Sequence, residues 1–235
     1  MTRVKVCGMT NLEDAQHAAD HGAWAIGLIH HRESPRYVEP AVAEEIGAAL
    51  KRRCEIAGVF VNSPLEEVVD AAERENLTLL QFHGEEGPSF CTEAARRTGA
   101  KVMKAMRVSS AADVRAAEAF RTDFHLFDAY WHGLHGGTGK SFDWELVARR
   151  RSKVPMVIAG GLTPENVGEA IARVNPYAVD VVSGVEAEPG RKNHSKVEAL
   201  LDAAGSQVPT PSANPSGTPE VRGRSADEAE ERPVS

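Results

Sequence analysis

The feature of this chain that most constrains its fold is a regular alternation of short apolar runs with amphipathic segments. Eight aliphatic and β-branched runs recur along the sequence, at residues 4–7, 25–29, 56–61, 79–82, 102–106, 124–128, 156–159 and 179–182. The segments between them place apolar residues three and four positions apart, as at Val167, Ala170 and Ile171, which is the spacing of one helix face. The pattern predicts eight successive strand–helix units.

Strands that are apolar along their whole length and alternate with helices are typical of a parallel sheet covered on both faces. Such a sheet is either open and doubly wound or closed into a barrel. The count of eight favours closure, and 235 residues are enough for one domain of this kind. The sequence therefore predicts a single-domain (β/α)8 TIM barrel of the α/β class over residues 1–204.

Residues 205–235 differ in composition from the rest of the chain. The segment is rich in proline, serine and glutamate, and its only large aliphatic residues are valines. Such a segment buries too little apolar area to offset the entropy lost on ordering. We therefore expect a disordered C-terminal tail.

Four helix starts are predicted from the residues that cap helices. These are Thr10 with Glu13, Ser63 with Glu66, Thr163 followed by Pro164 at the first helical position, and a less complete pair of Ser110 with Asp113. Capping residues indicate where helices begin and carry no information about chemistry. They set the phase of the strand–helix repeat.

The bulk properties exclude several classes of partner. A net charge of −7 provides no basic surface for nucleic acid or an anionic membrane. There is no apolar run of membrane-spanning length and no signal-peptide pattern at the start of the sequence. Three widely spaced cysteines without a C-x-x-C pair argue against both a disulfide framework and a zinc site. We expect a cytoplasmic protein with no nucleic-acid partner and no membrane partner.

The histidines do not form a recognisable set of metal ligands. His30 and His31 are adjacent in the sequence, and His132 and His135 share a glycine-rich segment without an obvious third ligand. The sequence therefore predicts no required metal.

Two residues stand where a barrel presents its catalytic groups, at the carboxyl ends of strands. Cys7 ends the first apolar run and Asp128 ends the sixth, so a closed barrel would direct both into one mouth. Taken alone, Cys7 fits better as a small buried apolar residue. Asp128 is costly to bury without a partner or a purpose. Together they suggest a thiol–carboxyl acid–base pair.

Glycines follow the seventh and eighth runs, at Gly160-Gly161 and Ser183-Gly184. They let backbone N–H groups approach an anion, and a phosphate site built from these two loops recurs in this fold. A single Gly-Gly pair would fit a simple turn equally well, whereas two such loops on adjacent strands favour phosphate binding.

The two longest connections, residues 30–39 and 129–141, both follow strand ends and are expected to be binding loops, the second of them mobile. Arg36 lies in the first. Its planar guanidinium could hold a carboxylate with two hydrogen bonds, although most loop arginines are solvated.

Eight sequence blocks resemble the phosphoribosylanthranilate isomerase family, in family order across residues 3–203. They are KVCGMT at 5–10, SPRYV at 34–38, GVFVN at 58–62, QFHG at 81–84, DA at 128–129, GGTGKSFDW at 136–144, AGGLTPENV at 159–167 and DVVSGVE at 180–186. The resemblance implies a cofactor-free Amadori rearrangement of a small phosphorylated substrate in tryptophan biosynthesis. The sequence leaves the oligomeric state open between a monomer and a homodimer.

The resemblance also implies the roles of individual residues. Asp128 would be the general acid and Cys7 the general base. The residues implied in substrate binding are Arg36 for the anthranilate carboxylate, Gly160, Gly161, Ser183 and Gly184 at the phosphate end, and His83 and Asp180. This assignment needs a protonated Asp128 and an ionised Cys7, the reverse of the order of their ordinary pKa values.

Two other readings stay open on the sequence. A histidine-pathway isomerase, or one that accepts both substrates, would perform the same rearrangement, but those enzymes resemble two-aspartate designs with aspartate in place of Cys7. A non-catalytic sensor of phosphorylated ligands would need neither Cys7 nor Asp128. The departures from the family pattern, at Leu28, His30, His31 and His135, concern loop packing more than the type of reaction.

Overall fold

The computed structural model describes residues 1–128, 147–148 and 150–205. Eight parallel strands close into a barrel in chain order, with the last strand paired to the first, so the predicted (β/α)8 fold is confirmed. The strands are β1 (Arg3–Cys7), β2 (Ala25–Ile29), β3 (Glu55–Phe60), β4 (Leu79–Phe82), β5 (Lys101–Arg107), β6 (Phe124–Asp128), β7 (Met156–Ala159) and β8 (Ala178–Val181). Each predicted run overlaps one of them.

Helices surround the barrel as an outer layer. Those with bounds in the described residues are α1 (Leu12–Asp20), α2 (Pro40–Leu50), α3 (Leu65–Arg74), α4 (Pro88–Thr98), α5 (Ala111–Ala116), α6 (Val167–Val174) and α7 (His194–Gly205). Their apolar stripes pack on the outward side chains of the strands in one continuous core. A two-stranded ribbon, β9 (Glu186–Glu188) and β10 (Arg191–Lys192), follows a short 3-10 helix at Ser183–Val185.

Alternation along the strands decides which residues enter the barrel. Successive side chains point to opposite faces, so every second residue faces inward. In β6, Phe124 and Leu126 belong to the interior apolar cluster, and Asp128 continues their row toward the carboxyl end. The same parity in β1 places Lys5 and Cys7 on the inner face. The strands therefore deliver their polar residues to one mouth of the barrel.

Two of the predicted helix caps are wrong. Helix α1 begins after Asn11, whose side chain accepts a hydrogen bond from the Asp14 backbone N–H at 2.8 Å. The Thr10 hydroxyl instead donates to the carbonyl of Gly190. Helix α3 begins after Pro64, with no side-chain capping bond, so Ser63 does not cap it. In both places the helix starts one residue later than the sequence pattern indicates.

Of the other two predicted helix starts, one is capped as predicted and one helix begins later. A capping box of Ser110 with Asp113 is present at the start of α5, where the Asp113 carboxylate accepts from the Ser110 backbone N–H at 2.8 Å and from its hydroxyl at 3.0 Å. Thr163 accepts a hydrogen bond from the Val167 N–H through its carbonyl, but the regular turns of α6 begin only at Val167, later than predicted.

Some predictions fall outside the described residues, namely the loop at 129–141 and tail residues 206–235. Helix α7 ends at Gly205, one residue beyond the predicted domain boundary. In the part of the chain that the structure describes, no helix is long and apolar enough to cross a membrane.

Candidate active site

A cavity of about 420 Å³ opens at the carboxyl ends of the strands. Its wall includes every residue to which the sequence analysis gives a catalytic or binding role. These residues are Cys7, Asp128, Arg36, His83, Asp180, Gly160, Gly161, Ser183 and Gly184. Their roles stay predictions, but the barrel brings them together from six strand ends and the loops that follow.

Cys7 is the last residue of β1 and is buried. Its partner across the sheet is Gly27 of β2, where an added Cβ would lie 2.9 Å from the Cys7 Cα. Only glycine leaves room there, so Gly27 fixes the space that the thiol occupies. Burial raises the pKa of the Cys7 thiol, and the nearby ammonium of Lys5 opposes this increase only in part.

Lys5 and Asp180 form a buried ion pair beneath the cavity. Both oxygens of the Asp180 carboxylate accept from the Lys5 Nζ, at 2.9 and 3.0 Å, and the lysine side chain is 0% exposed. Burial alone would lower the pKa of Lys5, but Asp180 and then Cys7 raise it above its usual value. Lys5 is therefore a fixed positive charge near Cys7. The sequence analysis missed this residue, although a lysine inside an apolar strand is itself a signal.

Asp128 ends β6 opposite Arg107 of β5 and Ala159 of β7 in the strand register. Its backbone carbonyl accepts from the Val108 N–H at 3.1 Å, which anchors the strand end. Arg107 also lines the cavity. It was missed because the predicted fifth run stops at residue 106. Had the run been extended by one residue, the rule that strand ends carry functional groups would have identified Arg107.

The two glycine loops pack against each other. Gly160 and Gly161 both have positive φ, 104° and 63°, which glycine adopts without strain. A Cβ on Gly184 would lie 2.9 Å from the carbonyl carbon of Leu162, so the second loop rests directly on the first. The 3-10 helix Ser183–Val185 begins at this contact, and the first N–H groups of a helix have no acceptor within it. The arrangement can present backbone donors to an anion.

Arg36 is oriented by an acidic partner that the sequence analysis did not find. Its Nε and Nη2 donate to the carboxylate of Glu186, at 2.7 to 3.1 Å. Glu186 also accepts from Lys192 Nζ at 3.0 Å. Burial would raise the pKa of Glu186, but Arg36 and Lys192 lower it below its usual value. The ion-pair network fixes the plane of the guanidinium at the cavity wall.

Two polar residues on β4 and the loop after it complete the wall. Burial, with the positive charges of Lys5, Lys104 and Arg107, lowers the pKa of His83 to about 3. The imidazole is therefore neutral and offers both a donor and an acceptor. The buried Oε1 of Gln81 accepts no hydrogen bond from any described residue, which makes it an acceptor that a substrate hydroxyl can satisfy. Gln81 was missed because it lies inside an apolar run.

Cysteine, histidine and aspartate side chains meet in this cavity, yet they do not form a metal site. Across residues 1–128, 147–148 and 150–205, the cavity's possible ligand atoms do not converge as a metal requires. The arrangement is suited to proton transfer by a thiol and a carboxyl on a substrate whose anionic group is held by the loops.

Comparisons with known proteins agree on one family. A sequence model described as N-(5'-phosphoribosyl)anthranilate (PRA) isomerase matches residues 4–203. The N-(5'-phosphoribosyl)anthranilate isomerase of Geobacter metallireducens is 44% identical over 204 residues, covering 87% of this chain and 99% of the relative. The crystal structure of phosphoribosyl anthranilate isomerase from Thermotoga maritima gives a TM-score of 0.77 at 40% identity, covering 87% of this chain and 99% of that chain.

A further solved structure shows phosphoribosyl anthranilate isomerase in complex with reduced 1-(o-carboxyphenylamino)-1-deoxyribulose 5-phosphate. It matches this chain with a TM-score of 0.74 and 38% identity, covering 87% of this chain and 99% of that chain.

Proposed function

Since this chain belongs to the N-(5'-phosphoribosyl)anthranilate isomerase family, we propose that the cavity at the barrel mouth is its active site, with Asp128 as general acid and Cys7 as general base. The protein is an aldose–ketose isomerase of tryptophan biosynthesis. It converts N-(5'-phosphoribosyl)anthranilate into 1-(o-carboxyphenylamino)-1-deoxyribulose 5-phosphate by an Amadori rearrangement. The observation that carries the site proposal is the convergence of all the predicted residues on one cavity.

The first step opens the sugar ring. Asp128 donates its proton to the furanose ring oxygen as the bond from that oxygen to C1′ breaks, and the amine lone pair forms a C1′=N iminium. The positive nitrogen makes the C2′ proton more acidic. A positioned acid of this kind contributes about 10²–10⁴ to the rate.

The second step moves the C2′ proton to Cys7. The thiolate removes this proton, the electron pair forms an enolamine, and transfer of the C2′ hydroxyl proton to C1′ gives the ketone. Because burial raises the pKa of Cys7, the thiolate is a minor species at neutral pH. Lys5 and the iminium charge both stabilise it. We therefore assign Lys5 the role of positioning and stabilising the base.

Binding at both ends holds the reacting carbons between acid and base, which removes much of the entropic barrier. We assign the phosphate to the backbone donors around Gly160, Gly161, Ser183 and Gly184, and the anthranilate carboxylate to Arg36. The neutral His83 and Asp180 lie on the same wall and complete the proposed substrate contacts, while Lys5 lies behind the wall, paired with Asp180. None of these steps transfers electrons to an external acceptor, so the proposed chemistry calls for no cofactor.

The setting of the enzyme follows from the same proposal. We place it in the cytoplasm, with a small phosphorylated substrate and neither nucleic acid nor membrane as a partner. The Thermotoga maritima protein is described as dimeric, with monomers generated from it. In this chain one barrel supplies the whole predicted residue set, so either a monomer or a homodimer is compatible with the mechanism.

The test is a fluorescence assay that follows the loss of freshly made phosphoribosylanthranilate, run beside the corresponding histidine-pathway substrate. We expect turnover of the first substrate and none of the second. Turnover of both would replace the assignment with a dual-substrate enzyme, and turnover of neither would refute the function.

A further inference from the structure

A cluster of metal-ligating side chains lies on helices outside the barrel, and none of its residues lines the cavity. His17 on α1 and His21, which follows the end of α1, face Glu198 on α7. The Glu198 Oε1 lies 3.2 Å from the His17 Nε2 and 3.6 Å from the His21 Nε2. Among the residues that the structure describes, this is the one group of three such side chains whose ligand atoms all lie within 4.8 Å of one another.

We propose that these three residues bind a transition-metal dication, Zn²⁺ in the first instance, which links the first and last helices of the barrel. Zinc–ligand distances of about 2.0–2.2 Å in tetrahedral geometry place ligand atoms roughly 3.3–3.6 Å apart. The two separations from Glu198, 3.2 and 3.6 Å, fall within about 0.1 Å of that range. Two imidazoles and one carboxylate leave a fourth position for water, and the partial exposure of His21 and Glu198 admits it.

A hydrogen bond orients the His21 ring, and a stacking contact orients the His17 ring. The His21 Nδ1 lies 2.8 Å from the carbonyl of His17. Because a carbonyl can only accept, the Nδ1 carries a hydrogen, and the Nε2 of the same ring is directed toward Glu198. The His17 ring stacks on His194 at 3.9 Å, and the His194 Nε2 is held 2.9 Å from Asp14. Such outer contacts orient metal-binding histidines and raise their affinity.

A metal-free ion-pair cluster explains the geometry less well. The His17 Nε2 is buried and forms no hydrogen bond with any described residue, although the carboxylate oxygen is 3.2 Å away. The His21 Nε2 is too far from that oxygen for a good hydrogen bond. Atoms that are close but poorly aligned with one another are expected when their lone pairs point to a common centre between them.

The ligand chemistry determines the class of ion. Imidazole nitrogen suits zinc, copper and nickel, whereas magnesium and calcium take all-oxygen sites. The sequence analysis missed this site because only the spacing of His17 and His21 by one helical turn is visible locally. Glu198 becomes their neighbour only when closure of the barrel brings α7 beside α1.

The experiment uses the full chain, dialysed against a chelator and then titrated with Zn²⁺ by calorimetry. His21→Gln and Glu198→Gln each remove one ligand while keeping a polar side chain of similar size at a partly exposed position. Glu169→Gln is the matched control, since Glu169 is an exposed helical glutamate paired with Arg173 on α6. We expect one Zn²⁺ ion per chain in the wild type and the control. In each test variant the dissociation constant for Zn²⁺ should be at least about 10-fold higher.

Thermal unfolding in the same samples gives a second readout. Zn²⁺ at about 100 times its dissociation constant should raise the Tm of the wild type and of Glu169→Gln by roughly 5–10 °C, and Mg²⁺ should not. Because the metal binds outside the cavity, both readouts are independent of isomerase activity. Wild-type zinc affinity in either test variant would overturn the proposal, as would a wild type whose Tm does not respond to Zn²⁺.

Discussion

Cys7 and Lys5 are two residues of one strand whose chemistry depends on their neighbours. A buried lysine ordinarily loses its charge, but Lys5 stays charged because it is paired with the carboxylate of Asp180 on the adjacent strand. The charge then partly offsets the burial that raises the pKa of the thiol. The Lys5–Asp180 pair therefore contributes to the balance between thiol and thiolate, in which burial is the largest factor.

Replacement of the proposed base or acid should abolish most of the activity without unfolding the barrel. Cys7→Ala and Asp128→Asn should each lower kcat by at least about 100-fold, because general acid and base groups contribute that much. Steady-state kinetics measure the effect, and circular dichroism checks that the fold persists. A folded variant with near-native kcat would remove that residue from the mechanism.

The Cys7 thiol should ionise at a higher pH than an ordinary thiol, whose pKa is about 8.5. The reason is that burial favours the neutral form, so the folded protein keeps the proton until the pH exceeds the raised pKa. Thiolate absorbance measured across a pH titration, as the difference between wild type and Cys7→Ser, isolates this group. Ionisation below about pH 8.5 would contradict the burial argument.

Arg36 distinguishes recognition of anthranilate from generic binding of phosphosugars. Arg36→Lys should weaken binding of a reduced product analogue, since an ammonium cannot reproduce the two-pronged hydrogen bond, and Arg36→Met should weaken it more. Loss of a charge-assisted contact costs about 1.5–3 kcal/mol, or roughly 10- to 150-fold in Kd.

The control for the Arg36 variants is ribose 5-phosphate, which lacks the carboxylate. The Kd of ribose 5-phosphate should change by less than about threefold, because this ligand has no carboxylate that could lose a charge-assisted contact with Arg36. Glu186 keeps Lys192 as a partner in these variants, so the network is not left with an unpaired carboxylate. Calorimetric titration measures both ligands, and equal losses for the two would place Arg36 at the phosphate end.

At the scale of elements, the helix starts show that a capping motif is only a local preference. The sequence offers Ser63 with Glu66 and Ser110 with Asp113 as similar pairs, but only the second pair forms a capping box. In the first case, Pro64 takes the capping position, and α3 begins without any side-chain bond.

This difference predicts unequal effects of two like substitutions. Ser110→Ala removes the hydroxyl that takes part in the capping box and donates to the Asp113 carboxylate, and it should lower the free energy of unfolding by about 0.5–2 kcal/mol. Ser63→Ala removes none and should change it by less than about 0.5 kcal/mol. Urea denaturation of both variants measures the pair. Equal losses would mean that Ser63 stabilises its helix start in another way.

Over residues 1–128, 147–148 and 150–205, one closed layer of strands lies inside one layer of helices. The family match ends at residue 203, and the Geobacter metallireducens relative is covered over 99% of its length by 87% of this chain. The last residues are therefore additional to the family's common barrel. Helix α7 packs on β1 and α1, next to the seam where β8 pairs with β1.

Removal of residues 206–235 should leave stability and activity nearly unchanged. The composition of this segment provides no apolar face that could dock on the barrel, and the shortened chain keeps α7 complete to Gly205. We expect the Tm to change by less than about 2 °C, which corresponds to under 1 kcal/mol for a domain of this size. A decrease of several degrees in differential scanning calorimetry would show that the segment contributes to folding.

The sequence alone determined the strands, the barrel and the positions of the two proposed catalytic residues. Hydrophobic periodicity is a local property, so eight apolar runs predict eight strands. The carboxyl ends of these strands form the mouth of the barrel, and Cys7 and Asp128 are predicted there because each ends a run. Only the tertiary structure assigned the partners. Lys5 meets Asp180, Arg36 meets Glu186, and His17 meets Glu198 across more than a hundred residues each. Such pairs arise from the register of β8 on β1 and from the closure of the barrel, which no local pattern encodes.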